Sequence, residues 1–135
     1  MPNYKNLTMR YLDGEGIKYT DPGENRLRIV YTGDNLKSIP VLVVFDKDGD
    51  PLVQFFCFEI CNYKGKEDKG IAVCNEMNNK YRWVKYYLDS DSDIICTIDA
   101  HIDSLSCGEE VLELVRRVVN ITDEAYPSFM RGLWS

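Results

Sequence analysis

Asp93-Ile94-Ile95-Cys96-Thr97-Ile98-Asp99-Ala100-His101-Ile102 is the stretch on which the fold turns. Ile94, Cys96, Ile98, Ala100 and Ile102 alternate with Asp93, Thr97, Asp99 and His101. Successive side chains of a strand point to opposite faces, so this alternation puts the apolar set on one side and the polar set on the other. The expectation is an antiparallel sheet with one face buried and one facing water.

The neighbouring segments read the same way. Residues 81–89 form the strand before it, with Tyr81, Trp83 and Tyr87 sharing a face with Lys85, and Val84, Tyr86 and Leu88 sharing the other. Upstream, Leu27, Ile29 and Tyr31 alternate with Arg26, Arg28 and Val30. Val41-Leu42-Val43-Val44-Phe45 reads as a buried strand, and Asp48-Gly49 turns the chain into a third strand over 52–61. Phe55, Phe56 and Phe58 load both faces of that strand, which predicts a central place in the sheet. Ile17 and Tyr19 suggest a short extra strand.

Helical spacing of Tyr4, Leu7, Tyr11 and Leu12 predicts a helix over 3–13, ended by Gly14 and Gly16. A second helix is expected over 71–80, after a charged loop at 64–69. Ser106-Cys107-Gly108-Glu109 fits a capping box opening a third helix that carries Val111, Leu112, Leu114, Val115, Val118 and Val119. Pro127 is expected to interrupt before a last amphipathic turn at 129–134. The order is α-β-β-β-α-β-β-α: an α+β fold, its antiparallel sheet flanked by helices on one face. The 135 residues fit a single domain, 1–135.

Composition narrows the function classes. Hydrophobic residues are 44% and charged residues 28%, which suits a folded chain and not a disordered one. The formal net charge is −6, and the adjacent pair Arg116-Arg117 lies beside Glu109, Glu110 and Glu113. Scattered cations do not neutralise a phosphate backbone, so neither nucleic acid nor an anionic membrane is the expected partner. No apolar run reaches transmembrane length, and Met1-Pro2-Asn3-Tyr4-Lys5 opens no signal-peptide core, so the cytoplasm is the expected location. Five cysteines, Cys57, Cys61, Cys74, Cys96 and Cys107, make no disulfide framework and are expected to be reduced.

Each candidate for chemistry meets a simpler reading. Asp46-Lys47-Asp48-Gly49-Asp50 begins like a calcium loop, but its sixth and twelfth positions are Pro51 and Cys57 where an EF-hand needs Gly and Glu. Asp89-Ser90-Asp91-Ser92-Asp93 fails the same test and reads as a polar turn. Cys57 and Cys61, four apart on a strand, would lie roughly 13 Å from each other, too far to share a zinc ion. His101, flanked by Asp99 and Asp103, has no visible nucleophile or oxyanion hole to serve. No catalytic residue, metal ligand or cofactor site is therefore assigned.

Ala72-Val73-Cys74-Asn75-Glu76-Met77-Asn78, followed by Trp83-Val84-Lys85-Tyr86-Tyr87-Leu88-Asp89, resembles the paired-Asn helix and following strand of the YbjN-like family. The ending from Tyr126-Pro127 to Leu133-Trp134 and the Val44-Phe45-Asp46 strand end are similar as well. That family carries a provisional description as bacterial sensory transduction regulators. The resemblance implies a fold like that of type III secretion chaperones, a protein-binding adaptor or chaperone role, homodimers and no catalytic residues.

Asn75 and Asn78 share a helix side at i, i+3, where packing on the sheet would let their amides satisfy backbone groups of the next strand. The functional expectation is a non-catalytic protein-binding module. Its partner is a protein and its dimer surface uses Tyr81, Trp83 and Tyr87, aromatic side chains of the kind enriched at interfaces. A domain binding a small molecule or signal between sheet and helices is the second expectation, and an enzyme the third.

Overall fold

The computed structural model describes residues 3–47 and 49–135. Its elements are α1 (Tyr4–Gly14), β1 (Arg26–Tyr31), β2 (Ile39–Phe45), β3 (Leu52–Cys57), α2 (Glu67–Lys80), β4 (Lys85–Leu88), β5 (Ile94–His101) and α3 (Cys107–Trp134). The strands form one antiparallel sheet in the order β1-β2-β3-β5-β4. This is the α+β arrangement that the alternation predicts, with β3 at the centre. The chain leaves β3 through α2, so the second edge of β3 stays free and β5 fills it.

One face of the sheet holds the core. Leu27 and Ile29 of β1, Val41 and Val43 of β2, Phe55 and Cys57 of β3, Tyr86 of β4, and Ile94, Cys96 and Ile98 of β5 are all buried. α3 lies across β2, β3 and β5 on this side. Its buried Val111, Val115, Val118, Thr122, Ala125 and Phe129 recur every three to four residues, one stripe of the helix. α1 packs on α3, and α2 packs on β4 and α3. The α1–α3 approach depends on Gly108, where a Cβ would lie 2.3 Å from Cβ of Tyr11.

Several expected boundaries move. α2 begins at Glu67 inside the expected loop, with Glu67 and Asp68 in its first turn, where the helix dipole favours negative charge. β3 ends at Cys57, not 61, and Ile17 and Tyr19 contribute no strand, only the single bridge Thr20–Arg28 beside them. On β5 the polar face is less wet than expected. Ile95 and Thr97 are buried, because cross-strand neighbours Tyr87 and Phe56 flank them. Asp48 of the expected Asp48-Gly49 turn lies outside the described residues.

α3 departs from expectation at both of its ends. The Ser106–Glu109 capping box does not form: the Ser106 side chain makes no cap bond, and its hydroxyl donates to Glu110 Oε1 at 2.7 Å. Glu110 Oε1 also accepts from the N–H of Asp103 at 3.1 Å, so this carboxylate ties down the incoming loop. The helix also continues through Pro127. Proline has no N–H, so the carbonyl of Asp123 loses its helical donor. Asn35 Nδ2 donates to that carbonyl at 3.1 Å and replaces it.

The same turn of α3 holds the loop after β1. The Asp123 carboxylate accepts the backbone N–H groups of Asp34, Asn35 and Leu36 at 2.9, 2.8 and 2.8 Å. Burial alone would raise the pKa of Asp123, but the three N–H bonds outweigh it and hold the group below its ordinary value. Gly33 leaves the space for this clamp: a Cβ there would sit 2.2 Å from Asp123 Oδ1.

Candidate functional site

All the core packing lies on one side of the sheet, so its other side is open. The antiparallel register arranges the side chains of the open face in rows. Arg26, Val44, Gln54 and Asp99 form one row across β1, β2, β3 and β5. Arg28, Leu42, Phe56, Thr97 and Lys85 form the next, reaching β4. Val30 and Pro40 on one side, and Ile95 and Tyr87 on the other, belong to a third.

The face is apolar in its middle and charged at its ends. Val30, Leu52, Phe58 and Tyr87 are exposed by 47%, 48%, 45% and 37%, four of the eight large hydrophobic side chains that stand out in solvent among the described residues. Leu42, Val44 and Phe56 are half-buried between them. Phe58 extends the patch by stacking on Phe56, with ring centroids 5.2 Å apart. Gln54 donates to Asp99 at 3.2 Å, and the Lys85 ammonium sits 5.8 Å from the Tyr87 ring centroid. Adjacent aromatic and aliphatic groups on an open sheet are the makings of a contact surface.

The expected aromatic trio does not share this face. Tyr87 is on it, but β4 starts only at Lys85, so Tyr81 and Trp83 precede the strand. Trp83 has φ of 78°, which breaks the alternation, and its ring lies 4.7 Å from the Arg117 guanidinium of α3. Tyr81 packs against the core, its hydroxyl buried with no hydrogen-bond partner among the described residues.

The two asparagines also part company. Asn78 Oδ1 accepts the N–H of Tyr86 at 2.7 Å, and its Nδ2 donates to the Tyr86 carbonyl at 3.0 Å. The amide thus stands in for a further strand and closes the outer edge of β4. Asn75 lies on the exposed side of α2. The opposite sheet edge is less closed. Thr20 exchanges two backbone bonds with Arg28 there, and an open groove of about 940 Å³ follows, lined by Ile17, Lys18, Tyr19, Arg28 and Val30.

The groups weighed for chemistry take structural positions. All five cysteines are free and buried. Burial pushes Cys57 and Cys96 up to about 12 and Cys74 to about 11, far from the thiolate a nucleophile or metal ligand requires. Asp89 accepts the N–H groups of Asp91 and Asp93, each at 2.9 Å, and so forms its own turn. Among the described residues no group of three or more His, Cys, Asp and Glu is placed to hold a metal ion. His101 is exposed on the open face, across from Leu52. No helix of the described residues is long and apolar enough to cross a membrane.

The sequence reading missed most of this surface. Leu42 and Val44 lie in an unbroken apolar run, which hides the fact that alternate residues face out. Val30, Leu52 and Phe56 look like core residues by type. The legible signals are polar: Arg26 and Arg28 flank β1's buried positions, and Thr97, Asp99 and His101 alternate on β5, which marks the water-facing side without showing its apolar middle.

No curated protein matches this chain. Among solved structures it is similar to the "Crystal structure of YbjN, a putative transcription regulator from E. coli", at 11% identity and a TM-score of 0.63, over 95% of this chain and 96% of that one. At that identity the likeness is one of fold. The family model YbjN, described as "Putative bacterial sensory transduction regulator", matches residues 9–131. With its elements in the same compass as that match, the chain belongs to the YbjN family.

Proposed function

We propose that this chain is a non-catalytic protein-binding module, an adaptor or regulator in signal transduction, and that it recognises a protein through the open face of its sheet. One observation carries the reading: the helices all serve one side of the sheet, and the other side shows solvent a patch built on Val30, Leu42, Leu52, Phe56, Phe58 and Tyr87. Apolar groups grouped this way gain free energy only when something covers them. The polar groups at its ends, Arg26, Asp99 and Lys85, would form the rim that gives such a contact its orientation. The family description as a regulator agrees with a binding role.

The test compares wild type with a Leu42→Ser, Phe56→Ser variant in native pull-downs, after circular dichroism confirms that both are folded. The expected result is a stoichiometric protein partner on the wild type and its loss on the variant. A partner retained by the variant would move the recognition site elsewhere. A metabolite that raises the melting temperature of both forms equally would favour a small-molecule sensor instead.

A further inference from the structure

The open face carries its own complement. In the row Arg26–Val44–Gln54–Asp99 a cation stands on β1 and an anion on β5, with two uncharged positions between them. In the neighbouring row, Arg28 and Thr97 occupy the same two strands around Leu42 and Phe56, with Lys85 one strand further out, so the first row alone pairs opposite charges. Neighbouring strands are about 4.8 Å apart, and stacked sheets about 10 Å. A two-fold axis parallel to the strands, running between β2 and β3, lays β1 of one copy over β5 of the other and β2 over β3. Each row then faces itself in reverse.

Resting on the reading of this face as a protein-binding surface, we infer that its occupant is a second copy of this chain, stacked sheet to sheet about that axis, with Arg26 against Asp99 of the partner subunit at both ends. Val44 meets Gln54 of the partner subunit, and Leu42 meets Phe56 of the partner subunit. The charges choose the axis. A two-fold axis across the strands would lay β1 over β1 and set the arginines against each other. Both groups are available for the contact. Among the described residues Arg26 is held only by an exposed 3.3 Å pair with Glu24, of the kind that contributes little. Asp99 is exposed, and the Gln54 amide orients it. An interface of this symmetry uses one patch twice, so every substitution acts twice.

The experiment is analytical ultracentrifugation of the full chain over a concentration series, with Arg26→Asp, Asp99→Arg, their equimolar mixture and the double variant. Wild type is expected to dimerise. Each single variant sets like charges together at both ends and should raise the dimer dissociation constant at least about tenfold. The mixture should dimerise again, since residue 26 of each chain then faces an opposite charge at residue 99 of the other. The double variant should recover for the same reason. Circular dichroism confirms the fold of each, and Arg26→Gln with Asp99→Asn is the neutral alternative if a swapped charge disturbs it. A wild type that is monomeric throughout, or a dimer indifferent to the swaps, overturns the inference. If the wild type is monomeric and the Leu42→Ser, Phe56→Ser variant still loses a different partner, the binding reading stands and only the self-association fails.

Discussion

Phe55 and Phe56 are adjacent in β3 and equal in composition, yet they belong to different parts of the molecule. Phe55 faces the helices and is fully buried, whereas Phe56 faces away and is only half-buried, stacked on Phe58. The same contrast separates Val43 from Leu42 on β2 and Ile29 from Val30 on β1. Residue type therefore does not distinguish the face that stabilises this protein from the face proposed to contact a partner. Only what lies over each face does so, and α3 lies over one of them.

The largest difference is expected within that phenylalanine pair. Phe55→Ala should cost about 3–5 kcal/mol, because it removes a core ring and leaves a cavity under α3. Phe56→Ala should cost under about 1.5 kcal/mol, since its ring is partly exposed and no helix packs over it. Urea unfolding of the two variants measures the difference. Equal losses would mean that the open face is part of the core.

The clamp between α3 and the loop after β1 is next. Gly33→Ala should destabilise by about 1–3 kcal/mol, as its Cβ would collide with the Asp123 carboxylate. The pH dependence follows from the sign of the Asp123 shift. Its pKa is lower folded than unfolded, so its contribution is complete above the unfolded value and disappears as pH falls through the folded one. Thermal melts below about pH 4, in the carboxylate range, should show a shallower acid loss for Asp123→Asn than for wild type. Parallel acid profiles would deny the clamp its charge.

Asn78→Ala should cost about 1–2 kcal/mol, because both backbone groups of Tyr86 lose their partner on a half-buried edge. Asn75→Ala should stay within about 0.5 kcal/mol of wild type. Hydrogen exchange of the Tyr86 amide reports the same contrast, rising sharply only in the Asn78 variant. A small effect is also expected of Trp83→Ala, about 0.5–1 kcal/mol from its contact with Arg117. It should leave self-association unchanged, because Trp83 is off the open face. A loss of dimer in sedimentation would return Trp83 to the interface.

The local sequence was enough for the element types, their order and the inward half of the sheet. Alternation in 94–102 and helical spacing in 111–119 are local patterns, and burial of one set of side chains follows from them. It also placed β3 centrally, because three phenylalanines on two faces need neighbours on both sides. What depended on distant residues was not legible. Asn35 makes Pro127 tolerable within α3 by bonding the Asp123 carbonyl, 88 positions away in the chain, and Asp123 holds a loop that looks like an ordinary Gly-Asp-Asn turn. Trp83 turns to a φ of 78° with its ring by Arg117 of α3, and β4 begins only at Lys85; no spacing within 81–89 encodes this. The water-facing side was legible from the alternation, but its apolar patch was not: Leu42, Phe56 and Phe58 come together on that side only through strand pairing, which a single strand's pattern does not encode.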